Sequence, residues 1–235
     1  HQKWISGRKY SKVSITSQKF DHFVDHLKSI RNSLQHFNII QAHSAKLFEF
    51  LVSCPNMKSL SFDRCNACDE KIDDLELPKW NLDSLMIETW QGQYFKHAFG
   101  IFKKSKVKKL SLKYGSDDND FKIIKNFLHE HQELKELDFK TYEYKIEDRE
   151  KLFDDDTLCH VKFRLKSLAI DTNHSENFRN FLKLHKETLE HFEMEEIDDE
   201  TAELLNNFTK LSSLGMDEIS PNFTKTDNIK TIVTE

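Results

Sequence analysis

The sequence predicts an α/β chain folded as a curved solenoid, with parallel strands on its concave face and helices on its convex face. Three observations carry that expectation. An apolar spacing recurs along the whole chain, amphipathic segments fill the gaps between its copies, and turn-forming residues are scarce. The 235 residues hold 5 Gly and 3 Pro, where average usage would give roughly 16 and 12. A β-sandwich or barrel needs a turn signal every few residues, so this composition argues against both. With 37% hydrophobic residues and 19 Phe the chain can bury a core, which excludes collagen-like and disordered classes.

The recurring unit is clearest at Met57-x-x-Leu60-x-Phe62-x-x-Cys65. The same spacing returns at Leu82/Leu85/Ile87, Val107/Leu110/Leu112, Leu134/Leu137/Phe139, Leu165/Leu168/Ile170, Leu189/Phe192/Met194 and Leu211/Leu214/Met216. Weaker copies stand at Tyr10/Val13/Ile15, Leu34/Phe37/Ile39 and Ile229/Ile232. First positions recur with a mean step of about 24 residues, inside the window of the leucine-rich repeat. Residues 1–235 therefore read as a single leucine-rich-repeat domain of about ten irregular units. Neither a short strand nor a short helix can bury its apolar face alone, so neighbouring units must stack.

The connecting segments fit that unit. SQKFDHFVDHLKSI sets Phe20, Phe23, Val24, Leu27 and Ile30 on one helical face, and HSAKLFEFLVSC, NDFKIIKNFLHEH and SENFRNFLKLHKE repeat the pattern. Asp120, Ser175 and Asp199 are expected as N-caps. The step from 134 to 165 is the longest and predicts a longer loop or an extra helical turn near EDREKLFDDDTL. Pro78 is expected to end any helix in the third connector. At the ninth position, where Asn or Cys satisfies loop backbone groups, only Cys65 and Asn173 comply.

The net charge of −5 does not favour nucleic acid or an anionic membrane, and no apolar run is long enough to cross a bilayer. The lysine-rich stretch at 103–113 splits its lysines between faces, because Val107, Leu110 and Leu112 belong to the core. Four cysteines do not make a disulfide scaffold, so a cytoplasmic or nuclear location is expected. Three N-x-S/T triplets begin at Asn173, Asn207 and Asn222. No P-loop, nucleophile elbow, dinucleotide fingerprint or kinase motif occurs, and neither an enzyme nor a cofactor is expected. Cys65-x-x-Cys68 is half a zinc site without a second pair, while His22 and His26 read as a solvated helix face. No metal is expected.

The stretch CPNMKSLSFDRC from Cys54 to Cys65 resembles the cysteine-containing repeat of F-box/leucine-rich-repeat proteins. Met57 and Phe62 replace Leu there and keep the apolar role. The opening HQKW, followed by RKYSKVSI, also looks like the end of an F-box entering its first repeat. The repeat resemblance runs along essentially the whole chain, although its specific motif occurs once. It implies the substrate-binding part of a ubiquitin-ligase receptor. No F-box is present in the sequence, so docking on a Skp–cullin scaffold is implied only if a full-length form carries one. The alternative is a free-standing leucine-rich-repeat effector, secreted after removal of a signal peptide, that acts by occupying a protein.

Outward strand positions supply the candidate site, a protein-binding concave face. Its centre reads as basic, with Lys108, Lys109, Lys113, Lys135 and Lys140 edged by Trp90, Tyr114 and Tyr142. Glu88 precedes this zone, and an acidic zone with Glu193, Glu195 and Asp217 follows it. Position five is mostly small: Ser14, Ser61, Ser111, Ala169 and Gly215. Like charges on adjacent strands repel, which a protein ligand of complementary charge would relieve, with the aromatics as anchors.

Overall fold

A computed structural model describes residues 10–41, 45–64, 79–89, 99–114, 118–141, 151–171, 173–217, 221–224 and 229–233. Twelve strands follow in chain order. They are β1 (Lys12–Thr16), β2 (His36–Ile40), β3 (Ser59–Asp63), β4 (Asn81–Leu82), β5 (Ser84–Thr89) and β6 (Lys106–Val107), then β7 (Lys109–Tyr114), β8 (Glu136–Thr141), β9 (Ser167–Ile170), β10 (His191–Met194), β11 (Ser213–Gly215) and β12 (Thr231–Val233). Ten of them form one sheet in the order β1-β2-β3-β5-β7-β8-β9-β10-β11-β12, and every pairing is parallel. The architecture is mixed α/β, with each strand beside its neighbour in sequence. The remaining pair, β4 and β6, runs parallel just ahead of β5 and β7.

Alternation decides which face is buried. Inward positions form two continuous columns. One runs Phe37, Leu60, Leu85, Leu110, Leu137, Leu168, Phe192, Leu214. The other runs Ile39, Phe62, Ile87, Leu112, Phe139, Ile170, Met194. All fifteen are buried, as are the unit-opening residues from Leu34 to Leu211. Burying each such side chain stabilises the fold by about 1.5–3 kcal/mol. In β1, Val13 and Ile15 are only half-buried.

Helices close the other side of those columns: α1 (Ser17–Ile30), α2 (Ala45–Val52), α3 (Asp118–Glu130), α4 (Glu176–Lys183) and α5 (Asp199–Leu205), with a helical segment at 99–102. Their apolar stripes follow the predicted periodicity where side chains are described; the Phe20 and Phe23 side chains lie outside the described residues. Leu27 and Ile30 of α1, Leu47, Phe48, Phe50 and Leu51 of α2, and Phe178, Phe181 and Leu182 of α4 are buried. Aromatic contacts tie helix to sheet, with Phe48 over Phe62 at 6.3 Å and Phe121 over Phe139 at 6.4 Å.

Of the three expected N-caps, Ser175 holds, its hydroxyl accepting from the Phe178 N–H at 3.2 Å. The cap of α5 is Asp198 rather than Asp199. Asp198 has the extended backbone a cap requires, and its carboxylate accepts from the Thr201 N–H at 2.8 Å. Asp120 lies inside α3 and is not its cap. Asn173 is fully buried, and its side-chain oxygen accepts from the Ser175 N–H at 3.1 Å and the Ser175 hydroxyl at 2.8 Å. It therefore fills the loop role expected at the ninth position and is sealed from any glycosylating enzyme. Asn207 and Asn222 are exposed. Cys65, Cys68 and Pro78 lie outside the described residues.

The long step from 134 to 165 contains two short 3₁₀ turns, Lys151–Phe153 and Thr157–His160, which bury Leu152, Phe153 and Leu158. Lys125 of α3 pins them. Its side chain is 6% exposed and ion-pairs with Asp154 and, at 2.9 Å, with Asp155. Burial pushes the Asp155 carboxyl up, but hydrogen bonds from Thr157 and Lys125 outweigh it and hold the group down at about 2.

One buried histidine follows this insertion. His185 is fully enclosed near Phe163 and Phe181, its Nδ1 accepting from the Leu165 N–H at 3.3 Å. Burial first, and the Arg164 charge second, depress its pKa to about 3. The folded protein thus holds the neutral ring, whereas the unfolded chain binds a proton below about 6.5. Stability from this group is full above about 6.5 and falls by roughly 1.4 kcal/mol per pH unit as the pH drops toward about 3. His185→Gln keeps an acceptor for Leu165 and should flatten that part of the curve. Urea midpoints of both proteins from neutral pH down to about 4 test this, and parallel curves would refute it.

Candidate functional site

The sheet's other face carries the outward residues in three columns. The first holds Lys12, His36, Ser59, Ser84, Lys109, Glu136, Ser167, His191 and Ser213. The second holds Ser14, Asn38, Ser61, Met86, Ser111, Asp138, Ala169, Glu193 and Gly215. The third runs Asp63, Glu88, Lys113, Lys140 and continues just beyond the strand ends as Asp171, Glu195 and Asp217. The position-five serines, Ala169 and Gly215 fall in the second column, as their spacing predicts. Asn38, Met86 and Asp138 share that column.

Glu88, Lys113, Lys140, Glu193, Glu195 and Asp217 therefore lie on one face, in two adjacent columns. Trp90 and Tyr142 lie outside the described residues, as does the Tyr114 side chain. Of the basic centre, Lys109, Lys113 and Lys140 belong to the face. Lys108 and Lys135 stand instead in the turns that enter β7 and β8.

Much of the expected like-charge repulsion is offset within the molecule. Lys109 Nζ lies 2.9 Å from Glu136 on the neighbouring strand. Lys140 reaches across β9 to Glu193 Oε1 at 2.7 Å. That carboxylate holds the Lys140 ammonium above the usual lysine range. With 44% and 55% of the two side chains exposed, such a pair contributes about 0.2–1 kcal/mol. Asp171 was not legible as a structural residue, yet it is 5% exposed and accepts from both the Thr141 N–H and hydroxyl at 2.5 Å. The face is further tied by Asn38 Nδ2 to the Ser14 hydroxyl at 3.2 Å, Ser59 with Ser84 at 2.6 Å, and the Ser111 hydroxyl to Asp138 at 2.8 Å.

Small residues leave a recess of about 250 Å³ toward the C-terminal strands, lined among others by Lys140, Ala169, Glu193, Glu195, Gly215 and Asp217. Ala169 and Gly215 lie at its floor, and its polar wall sets the Glu193, Glu195 and Asp217 carboxylates beside Lys140, His191 and two serines. Such an arrangement offers acceptors to a donor-bearing or cationic group.

Among the described residues, no group of three or more His, Cys, Asp or Glu stands where it could hold a metal ion. Burial pushes the Cys54 thiol up to about 11 and also raises Cys159, which leaves both protonated and poorly nucleophilic at neutral pH. No helix among the described residues is long and apolar enough to cross a membrane.

Gly215 couples the recess to the ion pair. A Cβ there would stand 2.9 Å from Glu193 Cγ, so Gly215→Ala must swing the Glu193 side chain aside. The Lys140–Glu193 coupling, about 0.2–1 kcal/mol by double-mutant cycle, should fall to near zero in the Gly215→Ala background. Unchanged coupling would show that Glu193 adapts without leaving Lys140.

No family model matches the chain, and no curated protein matches it.

Proposed function

We propose that the chain is a leucine-rich-repeat solenoid that recognises a protein through the open, concave face of its sheet, and that it performs no catalysis itself. The observation that carries this reading is the open face. Ten parallel strands in chain order bury one side from β2 to β11 and leave the other without a covering element among the described residues. That uncovered side has a small-residue recess beside Lys113, Lys140, Glu193, Glu195 and Asp217. Stacked repeats of about 24 residues commonly use such an extended face for binding.

The finer proposal is that this face selects the substrate of an F-box type ubiquitin ligase. The cysteine-containing repeat resemblance at Cys54–Cys65 supports it. Binding to the Skp–cullin scaffold would belong to an F-box of the full-length protein, while the repeats would hold the substrate.

The test compares the full-length protein with a variant carrying Lys113→Glu, Lys140→Glu, Glu195→Lys and Asp217→Lys, using proximity labelling in cells. The expected outcome is that both co-purify with a Skp adaptor, while the variant loses a defined set of other partners. Absence of the adaptor from the wild type would sink the ubiquitin-ligase reading. An identical partner set for both proteins would sink the open face as the binding surface.

A further inference from the structure

We propose that the edge of the sheet where the chain enters its strands is a second docking surface, and that it takes an acidic segment of a protein partner. All ten strands of the main sheet are parallel, so every entering turn lies along the same edge. The described entering turns are residues 31–35, 53–58, 79–83, 103–108, 131–135, 161–166, 184–190, 206–212 and 229–230. They carry 14 Lys or Arg against 4 Asp or Glu, in a chain whose net charge is −5. All of those cations except the half-buried Lys186 are exposed. The described leaving turns have the opposite balance, with Asp171, Glu195, Glu196, Asp198 and Asp217 against Arg64. The total charge conceals this division, and the lysine-rich stretch at 103–113 is only its most visible part.

Helix dipoles do not account for it. The five helices and the segment at 99–102 end at this edge, and each C-terminus supplies about half a negative charge. Together they offset about three of the ten excess cations.

The densest part is a stack of residues immediately before the strands: Asp83, Lys108, Lys135, Lys166 and Glu190. The Lys135 N–H donates to the Lys108 carbonyl at 2.7 Å, and the Lys166 N–H donates to the Lys135 carbonyl at 2.7 Å. The outer ammonium groups turn to the flanking acids, Lys108 to Asp83 at 2.7 Å and Lys166 to Glu190 at 3.0 Å. Lys135, between two lysines, has no ion-pair partner among the described residues. The exposed Lys104 and Lys162 in the adjoining turns have none there either. Three uncompensated ammonium groups thus gather on three successive turns.

The extent of this basic rim favours a short acidic peptide over a nucleic acid. The turns at 79–83, 103–108, 131–135 and 161–166 follow one another at a strand spacing of about 4.8 Å, a rim of roughly 15 Å. About five residues of extended chain cover that length. A longer polyanion would run on past Glu187 and Glu190 in one direction, and in the other would meet only single cations, Lys58 and Arg31, in the next two turns.

The test uses fluorescein-labelled hexaglutamate as the probe, with binding read by fluorescence anisotropy at about 50 mM and about 300 mM salt. The rim variant is Lys104→Glu, Lys135→Glu and Lys162→Glu. The charge-matched control is Lys28→Glu, Lys46→Glu and Lys122→Glu, all exposed helix lysines outside these turns and off the open face. Circular dichroism melts confirm that both fold. The wild type should bind the probe and weaken with salt, the rim variant should lose about tenfold or more in affinity, and the control less than about threefold. Absence of binding at the lower salt, or equal loss in both variants, would overturn the proposal. So would a twelve-nucleotide oligothymidine that competes at least as well per charge as unlabelled hexaglutamate. Neither variant alters the open face, so these outcomes stand apart from the fate of the open-face reading.

Discussion

The in-register parallel ladder is the constraint on which everything else in this molecule rests. Each strand has two to six residues and is too short to persist alone. What stabilises it is the pair of inward columns, continuous from Phe37 to Leu214 and from Ile39 to Met194. A slip of one residue in β7 would turn Leu110 and Leu112 to water and push Lys109, Ser111 and Lys113 into the core. Because side-chain direction has period two, no partial slip avoids that cost. The ladder therefore specifies the open face and the two edges of turns as strictly as it specifies the core.

Those columns were legible from spacing alone, since apolar residues at fixed intervals need no knowledge of partners. Side-chain roles that depend on partners were less so. Asp198 and Asp199 are both competent caps, and only the backbone conformation selects Asp198. Asp171 reads as one more charged outward residue until the Thr141 N–H and hydroxyl are seen to converge on it. Lys140 finds its carboxylate 53 residues away, across an intervening strand, and no local pairing rule reaches that far. The charge zones were visible, but their mutual neutralisation required the register. Lys108 and Lys135 looked like face residues because the interval does not distinguish a strand's first residues from the turn before it.

Departures from the regular unit collect in one stretch, and four of the seven buried polar residues among those described stand around it. The longest step brings in the two 3₁₀ turns, and around it stand Lys125 with Asp154 and Asp155, then Asp171, Asn173 and His185. A buried polar group costs free energy unless its hydrogen bonds are met. Lys125 meets this by borrowing two exposed carboxylates and Asn173 by closing on Ser175. His185 instead stays neutral and accepts from Leu165, while its Nε2 has no partner among the described residues. An inserted segment cannot rely on the apolar columns for its position, because it belongs to neither. Directional polar contacts supply the register that regular units obtain from alternation.

The same geometry separates the residues that determine the fold from those available for recognition. The inward columns would hold with almost any small or polar residue outward, so the outward positions are nearly free of folding constraints. Gly215 and Ala169 are the informative cases. Strand propensity favours neither residue, and larger side chains there would project to the open side, away from the core. At Gly215 even a methyl group would meet Glu193, so the recess and the position of that carboxylate depend on each other. Lys140, drawn over Ala169 toward the same carboxylate, makes the arrangement three-sided. A surface selected for stability alone has no need of a hollow whose floor is the smallest available residue and whose wall is charged. Both features are what the proposed recognition of a partner asks for.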